Sequence, residues 1–230
     1  MNIVRVLATL TAGLLCCATL PSCESDEEGA GYYVNMPFTD IATYEGNTAP
    51  GGGATMTVCK DGDLPPATLY CRNVSVPENI KPGTRMLIRY TNESNEPYTS
   101  GAATLLGAQT VTQGDVDLLM EPTWDATRVY LLSVWRTGSY LNFRVRLPYS
   151  TEPRIFKLTA DPATILSPRP QLYLAHDLAP AEADGHDREY YASFNMAAVW
   201  NLAGTEGVVL HVNNSNLDKQ IFTFDKTPAH

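Results

Sequence analysis

Basic residues are scarce in this chain and nowhere clustered. Its 230 residues include 16 Lys and Arg against 25 Asp and Glu, a formal net charge of -9. The densest basic site is the pair Arg144 and Arg146, alternating along one strand-like run. A phosphate backbone is neutralised by clustered cations, so nucleic acid is excluded as a partner. After residue 23 no apolar run reaches membrane-spanning length. No Gly-x-Ser-x-Gly occurs, and no carboxylate pair stands out for glycoside cleavage. The expectation is a protein that is not an enzyme and carries no cofactor. Helical periodicity is weak, and there is no fixed repeat.

What is present begins with Cys23. A short segment with one positive charge (Arg5), an uncharged stretch from Val6 to Leu20 and a small residue before a cysteine reads as a secretory signal. Leu20-Pro21-Ser22-Cys23 resembles the lipobox of bacterial lipoproteins, which implies lipidation of Cys23 as the first mature residue. Cys16 and Cys17 fit that pattern worse. The acidic run Glu24-Ser25-Asp26-Glu27-Glu28 resembles the surface-export signal of Bacteroidota lipoproteins. By composition, residues 23–31 form a solvated tether. Removing residues 1–22 takes away Arg5 and no acid, leaving 15 basic against 25 acidic residues in about 208. The expected address is the outer membrane, facing the cell surface, with lipid as the anchor.

Cys59 and Cys71 remain, beyond an oxidising membrane and on two runs that read as a hairpin. They are the candidates for a disulfide, which would add about 2–3 kcal/mol. Metal ligation fits them poorly, since there is no CxxC spacing and no nearby His.

Strand-like runs recur along the chain, bounded by Gly, Pro, Asn and Asp. They are 54–59, 67–72, 85–91, 129–135, 140–147, 154–159, 171–175, 190–196, 207–212 and 219–224. In the run 140–147, Leu141, Phe143, Val145 and Leu147 share one face and Asn142, Arg144 and Arg146 the other, as in a half-buried antiparallel strand. The stretch 104–119 suits strand better than helix, and Asp161-Pro162 could open one helical turn over 160–166. The chain is therefore expected to be all-β. Glu121-Pro122-Thr123-Trp124-Asp125 marks the expected boundary between a barrel domain, 32–120, and an antiparallel β-sandwich, 126–226.

Four stretches together resemble the NigD-like family of Bacteroidota lipoproteins. They are the lipobox with its acidic tail, Gly83–Tyr90, Val134–Asn142, and Leu172–Asp177 leading to Tyr191–Phe194. The resemblance spans essentially the whole mature chain. It implies an N-terminal OB-like barrel followed by a C-terminal β-sandwich, and a bacteriocin-immunity role suggested by operon neighbourhood. It brings no catalytic residues.

Two clusters compete as binding sites. His176, Asp177, Asp184, His186 and Asp187 could surround a divalent ion, but their spacing matches no EF-hand or zinc motif and reads as a surface loop, so no metal is expected. Among the aromatics, Trp135, Tyr140, Tyr190, Tyr191 and Trp200 read as packing residues. Trp124, at the expected boundary, is the candidate ligand-cleft aromatic, because clefts between domains favour ligands. The expected function is binding of a protein or peptide at the envelope. The alternative is a carbohydrate-binding lipoprotein serving a glycan-uptake system.

Overall fold

The computed structural model describes residues 36–60, 64–152, 154–177 and 185–226. Cys23, the signal and the acidic tether lie outside the described residues. The chain is all-β. Five strands, β1 (Phe38–Gly46), β2 (Ala54–Val58), β3 (Ala67–Cys71), β4 (Arg85–Asn92) and β5 (Gly101–Thr110), close a barrel in the order β1-β2-β3-β5-β4. β3 and β5 run parallel, and β4 returns antiparallel onto β1. This is an OB-type barrel. Alternation builds its core: Met86, Ile88 and Tyr90 point inward from β4, joined by Met56, Leu69 and Leu105. Gly53 enters β2 at φ +94, where a Cβ would lie 2.4 Å from the Cys71 carbonyl oxygen, so the turn admits no side chain.

The second module holds β6 (Thr112–Asp115), β7 (Tyr130–Thr137), β8 (Tyr140–Pro148), β9 (Ile155–Ala160), β10 (Gln171–Asp177), β11 (Asp187–Asn195), the single turn α1 (Ala197–Trp200), β12 (Gly207–Val212) and β13 (Ile221–Asp225). Two sheets, β6-β11-β8-β7 and β13-β12-β10-β9, share one core. Leu141, Phe143, Val145 and Leu147 face Leu158, Leu172, Leu174 and Leu210 across it. The sandwich is not wholly antiparallel: β6 pairs parallel with β11, and β10 parallel with β12. The segment 160–166 forms hydrogen-bonded turns rather than a helix, with Asp161 Oδ1 accepting from the Ala163 N–H at 2.9 Å.

Barrel and sandwich belong to one compact unit. The chain passes between them at Val111, ahead of the Glu121–Asp125 segment marked from sequence, because β6 already pairs in the sandwich.

The hairpin expected to carry a disulfide does form, but its register separates the thiols. Cys71 lies opposite Ala54, while Val58, just before Cys59, lies opposite Ala67. At roughly 3.3 Å per residue the two cysteines sit about 16 Å apart along the hairpin, against a limit of about 7 Å between bridged Cα atoms. Both are free. Burial pushes the Cys71 thiol up to about 11 and raises that of Cys59 too, which makes both poor nucleophiles.

Three asparagines hold neighbouring main chain in the same way. Asn47 exchanges two hydrogen bonds with the main chain of Val76 (both 2.9 Å), Asn73 with that of Leu105 (2.8 and 3.0 Å), and Asn216 with that of Leu131 (2.8 and 2.9 Å). Each side-chain amide pairs with an N–H and a C=O of one residue, and at Leu105 in β5 and Leu131 in β7 it satisfies groups that the ladder leaves open.

Arg85 holds the two modules together. It opens β4, is 3 % exposed, and reaches out of the barrel. Its Nε donates to Ser193 Oγ at 3.0 Å and its Nη2 to Asn142 Oδ1 at 3.3 Å, both in the sandwich. Nη1 donates to Thr43 Oγ1 at 2.7 Å and Nη2 also to the Ile41 carbonyl at 3.3 Å, both in the barrel. The Tyr140 ring lies 4.2 Å below the guanidinium. Behind it, Ser193 Oγ donates to Asn142 Oδ1 at 2.8 Å, and Asn142 Nδ2 to Thr137 Oγ1 at 2.9 Å. Replacing Arg85 by Met leaves several of these buried acceptors unpaired. The expected result is a loss of about 3 kcal/mol and separate unfolding of the two modules. Urea titration followed by tryptophan fluorescence and amide exchange checks this; one unshifted transition would contradict it.

Candidate functional site

Residues 121–126 fold into two consecutive turns, with the Trp124 N–H donating to the Glu121 carbonyl (3.1 Å) and Ala126 N–H to that of Thr123 (2.9 Å). These turns lay Trp124 on the outer face of the β10–β12 pair. Leu172, Leu174, Leu210 and Val212 point into the core, so Tyr173 and His211 point out. Tyr173 and His211 stack at 4.6 Å and 11°, and Trp124 tilts onto Tyr173 at 5.0 Å and meets His211 edge-on at 6.1 Å. Gln171 Oε1 holds His211 Nε2 at 2.6 Å.

Beside this aromatic tier opens a cleft of about 910 Å³, walled by Trp124, Asp125, Arg128 and the loop 213–220. All its walls come from the sandwich, so Trp124 does not stand at a cleft between barrel and sandwich as the sequence suggested. The reason is the crossing at Val111, which leaves residues 121–126 wholly on the sandwich side.

The amides of this cleft are already committed. Asn213 Nδ2 donates to the carbonyls of Asp125 (2.5 Å) and Thr127 (3.2 Å). Asn214 Oδ1 accepts from the Leu217 N–H at 2.8 Å while its Nδ2 donates to the Lys219 carbonyl at 2.8 Å. Gln220 Oε1 accepts from the Asn214 N–H at 2.9 Å, and Asn216 braces Leu131. The cleft therefore presents Asp125 and Arg128 from one wall and Asp218 from the loop, with these amides turned to the main chain.

A different opportunity lies on β5. Its first residues, Gly101 to Ala103, pair with β3, and Asn73 then caps Leu105. From Leu106 to Thr110 only β4 pairs with it, and no strand among the described residues covers the other edge. Every residue from Leu106 to Thr110 is exposed, Leu106 by 53 %. No charged residue occurs from Pro97 to Gly114. Next to the edge a shallow depression of about 300 Å³ runs over Gly107 and Ala108 between Leu87 and Arg89. An open edge supplies main-chain donors and acceptors, and such a depression takes a side chain of an added strand.

The His/Asp loop considered from sequence separates. His176 is buried in β10, stacked on Phe156 at 5.3 Å, with Nδ1 2.7 Å from Thr127 Oγ1, which itself donates to the His176 carbonyl. His186 stacks instead on Tyr149 at 4.9 Å, and Asp184 lies outside the described residues. Burial, with the Arg154 charge beside it, pulls His176 down to about 4.

No protein-family model matches this chain, and no curated protein matches it by sequence. Solved structures do match by fold. A protein of unknown function from Bacteroides vulgatus superposes with a TM-score of 0.64 at 18 % identity, over 84 % of this chain and 92 % of its own. A NigD-like immunity protein from Bacteroides caccae superposes at 0.55 and 18 % identity, over 84 % of this chain and 97 % of its own. The chain has the NigD-like fold. The barrel and sandwich of that fold are thus the frame for both the Trp124 cleft and the β5 edge.

His176 also sets a pH dependence. Its pKa is lower folded (about 4) than unfolded (about 6.5), so the unfolded chain binds the extra proton between these values. Its contribution is full above pH 6.5 and lost as pH falls towards 4, with a slope of up to about 1.4 kcal/mol per pH unit. Urea unfolding at stepped pH should show this slope, and His176→Gln should flatten it.

Proposed function

We propose that this chain is a non-enzymatic lipoprotein of the cell envelope, held at the outer membrane by lipid on Cys23 and facing outward, which binds a protein or peptide by strand addition along β5. The carrying observation is the uncovered, uncharged edge from Leu106 to Thr110. In a chain of net charge -9, an edge without a charged side chain is a place where another backbone can approach without like-charge repulsion. Strand addition draws its affinity from main-chain hydrogen bonds and its selectivity from side-chain depressions such as the one over Gly107. The lipobox-like Leu20–Cys23 and the acidic residues behind it support the address. The shared fold with a NigD-like immunity protein supports an immunity-type or envelope-complex form of the role.

Crosslinking on intact cells carrying the tagged protein tests this reading. The wild type should capture a discrete envelope protein or secreted peptide. The double variant Leu106→Lys with Ala108→Lys, altering two exposed edge positions, should lose that capture while melting as the wild type does. Cys23→Ser should release the protein from the membrane fraction. Undiminished capture by the edge variant would reject strand addition, and a tag shielded from external protease would reject the outward orientation.

A further inference from the structure

We infer that the strand added along β5 presents a glutamate to Arg89, reached across Gly107. This names the partner's chemistry at the β5 edge and rests on the strand-addition reading. Main-chain direction sets the register. The Val111 N–H donates to the Arg85 carbonyl, Gln109 pairs with Leu87, and Gly107 pairs with Arg89. Successive residues of an antiparallel strand turn their main-chain groups to opposite sides. Gly107, Gln109 and Val111 therefore turn theirs to β4, while Ala108 and Thr110 turn theirs to the open edge. Asn73 already holds Leu105 on that side. An incoming strand bonds to Ala108 and Thr110. Its residue beside Gly107 then lies on the outer face of the barrel, in one row with Gly107, Arg89 and Thr39.

Gly107 points to a side chain crossing at this place. Its φ lies outside the left-handed region, and a Cβ there would meet nothing among the described residues within 4 Å. The bulge beside it puts its extra residue at Leu106, so it does not require a glycine at 107 either. Neither backbone conformation nor packing within this chain accounts for the missing side chain. A strand glycine free of those demands fits a position where another chain comes close. Its effect is to open the depression of about 300 Å³ that Thr39, Leu87, Arg89 and Gln109 surround.

Charge selects what crosses. Arg89 is exposed at the far side of the depression and makes no side-chain hydrogen bond or ion pair among the described residues. The chain holds 25 acidic residues against 16 basic ones, yet none of the acids lies between Pro97 and Gly114 to take this guanidinium. Backbones two strands apart are separated by about 10 Å. A glutamate and an arginine extended towards each other over a glycine close that gap. The glutamate methylenes then cover Gly107 beside Leu87, and its carboxylate accepts from the guanidinium. A lysine in the same place meets like charge, and a glutamine forms only a neutral hydrogen bond. The partner is thus an extended segment, uncharged along the β5 edge except for one glutamate.

The isotope-labelled mature chain carrying Cys23→Ser, titrated with acetyl-Thr-Val-Xaa-Val-Thr-amide in which Xaa is Glu, Gln or Lys, tests this. The main-chain amide signals of Ala108 and Thr110 report strand addition, and the Arg89 Nε–H signal reports the ion pair. All three peptides should shift the two amides, and the glutamate peptide should shift Arg89 most. It should bind about fivefold tighter than the glutamine peptide, a margin that shrinks at high salt. Arg89→Glu should reverse the order, with the lysine peptide binding best. Gly107→Val should remove the preference for glutamate while the chain melts as the wild type does. Shifts of Ala108 and Thr110 that do not depend on Xaa would leave strand addition standing and overturn this inference. No shift of these amides with any peptide, or a dimer of the chain that already covers them, would overturn both.

Discussion

The joint between barrel and sandwich is arranged around the buried guanidinium of Arg85. Arg85 has no carboxylate among its hydrogen-bond partners; neutral oxygens from Ser193, Asn142, Thr43 and Ile41 and the face of Tyr140 take that place. Burial alone works against its charge. The site is tolerated because four charge-assisted hydrogen bonds and an aromatic face replace the lost water, within a chain whose overall sign is negative. The Arg85 main chain is used too. Its N–H donates to Gln113 Oε1 at 2.5 Å and its carbonyl accepts from the Val111 N–H at 3.2 Å, so the residue that bridges the modules also pins the segment that connects them. By contrast, the half-exposed surface pair Arg144–Glu189, at 2.8 Å, contributes about 1 kcal/mol or less.

This joint explains what pattern reading could and could not see. Alternation correctly separated Leu141, Phe143, Val145 and Leu147 from Asn142, Arg144 and Arg146, and ten strand-like runs correspond to strands. It identified the side but not what covers that side. Asn142 is fully buried beneath Arg85, while Arg144, on the same face, is only half-buried. The stretches that resemble the NigD-like family, Gly83–Tyr90, Val134–Asn142 and Tyr191–Phe194, include Arg85, Tyr140, Asn142 and Ser193. In this chain each of these stretches supplies one part of the same interface. Ser193 looked like an ordinary strand residue because its partners lie far away in the chain.

Other misses have equally local causes. The strand pattern does not single out β1, and β6 and most of β5 fall in the one stretch, 104–119, that suits strand better than helix. β5 is built of Gly, Ala, Thr, Leu and Gln with a single buried residue, Leu105, so it carries no period of two. The disulfide failed on register, which a sequence without a defined turn does not specify. Trp124 was placed by composition at a boundary, yet its neighbours Tyr173 and His211 are brought to it by a parallel β10–β12 pairing that no hairpin rule anticipates.

The open edge and the closed barrel follow from the same constraint on β5. To complete the barrel, β5 must run beside β3; to reach Val111 and the Arg85 joint, it must leave it. The strand therefore pairs with β3 over Gly101 to Ala103 only, and Asn73 satisfies Leu105 at the point of divergence. Beyond that point β4 can pair with just one edge of β5, and the other faces solvent. An edge strand left uncharged is a hazard that soluble proteins normally suppress with Lys, Pro or a covering loop. Its retention here is explicable if the edge is used, whereas the joint alone would be served equally well by a charged strand. One strand that must serve two modules thus leaves this edge open, and the edge needs no structural element of its own.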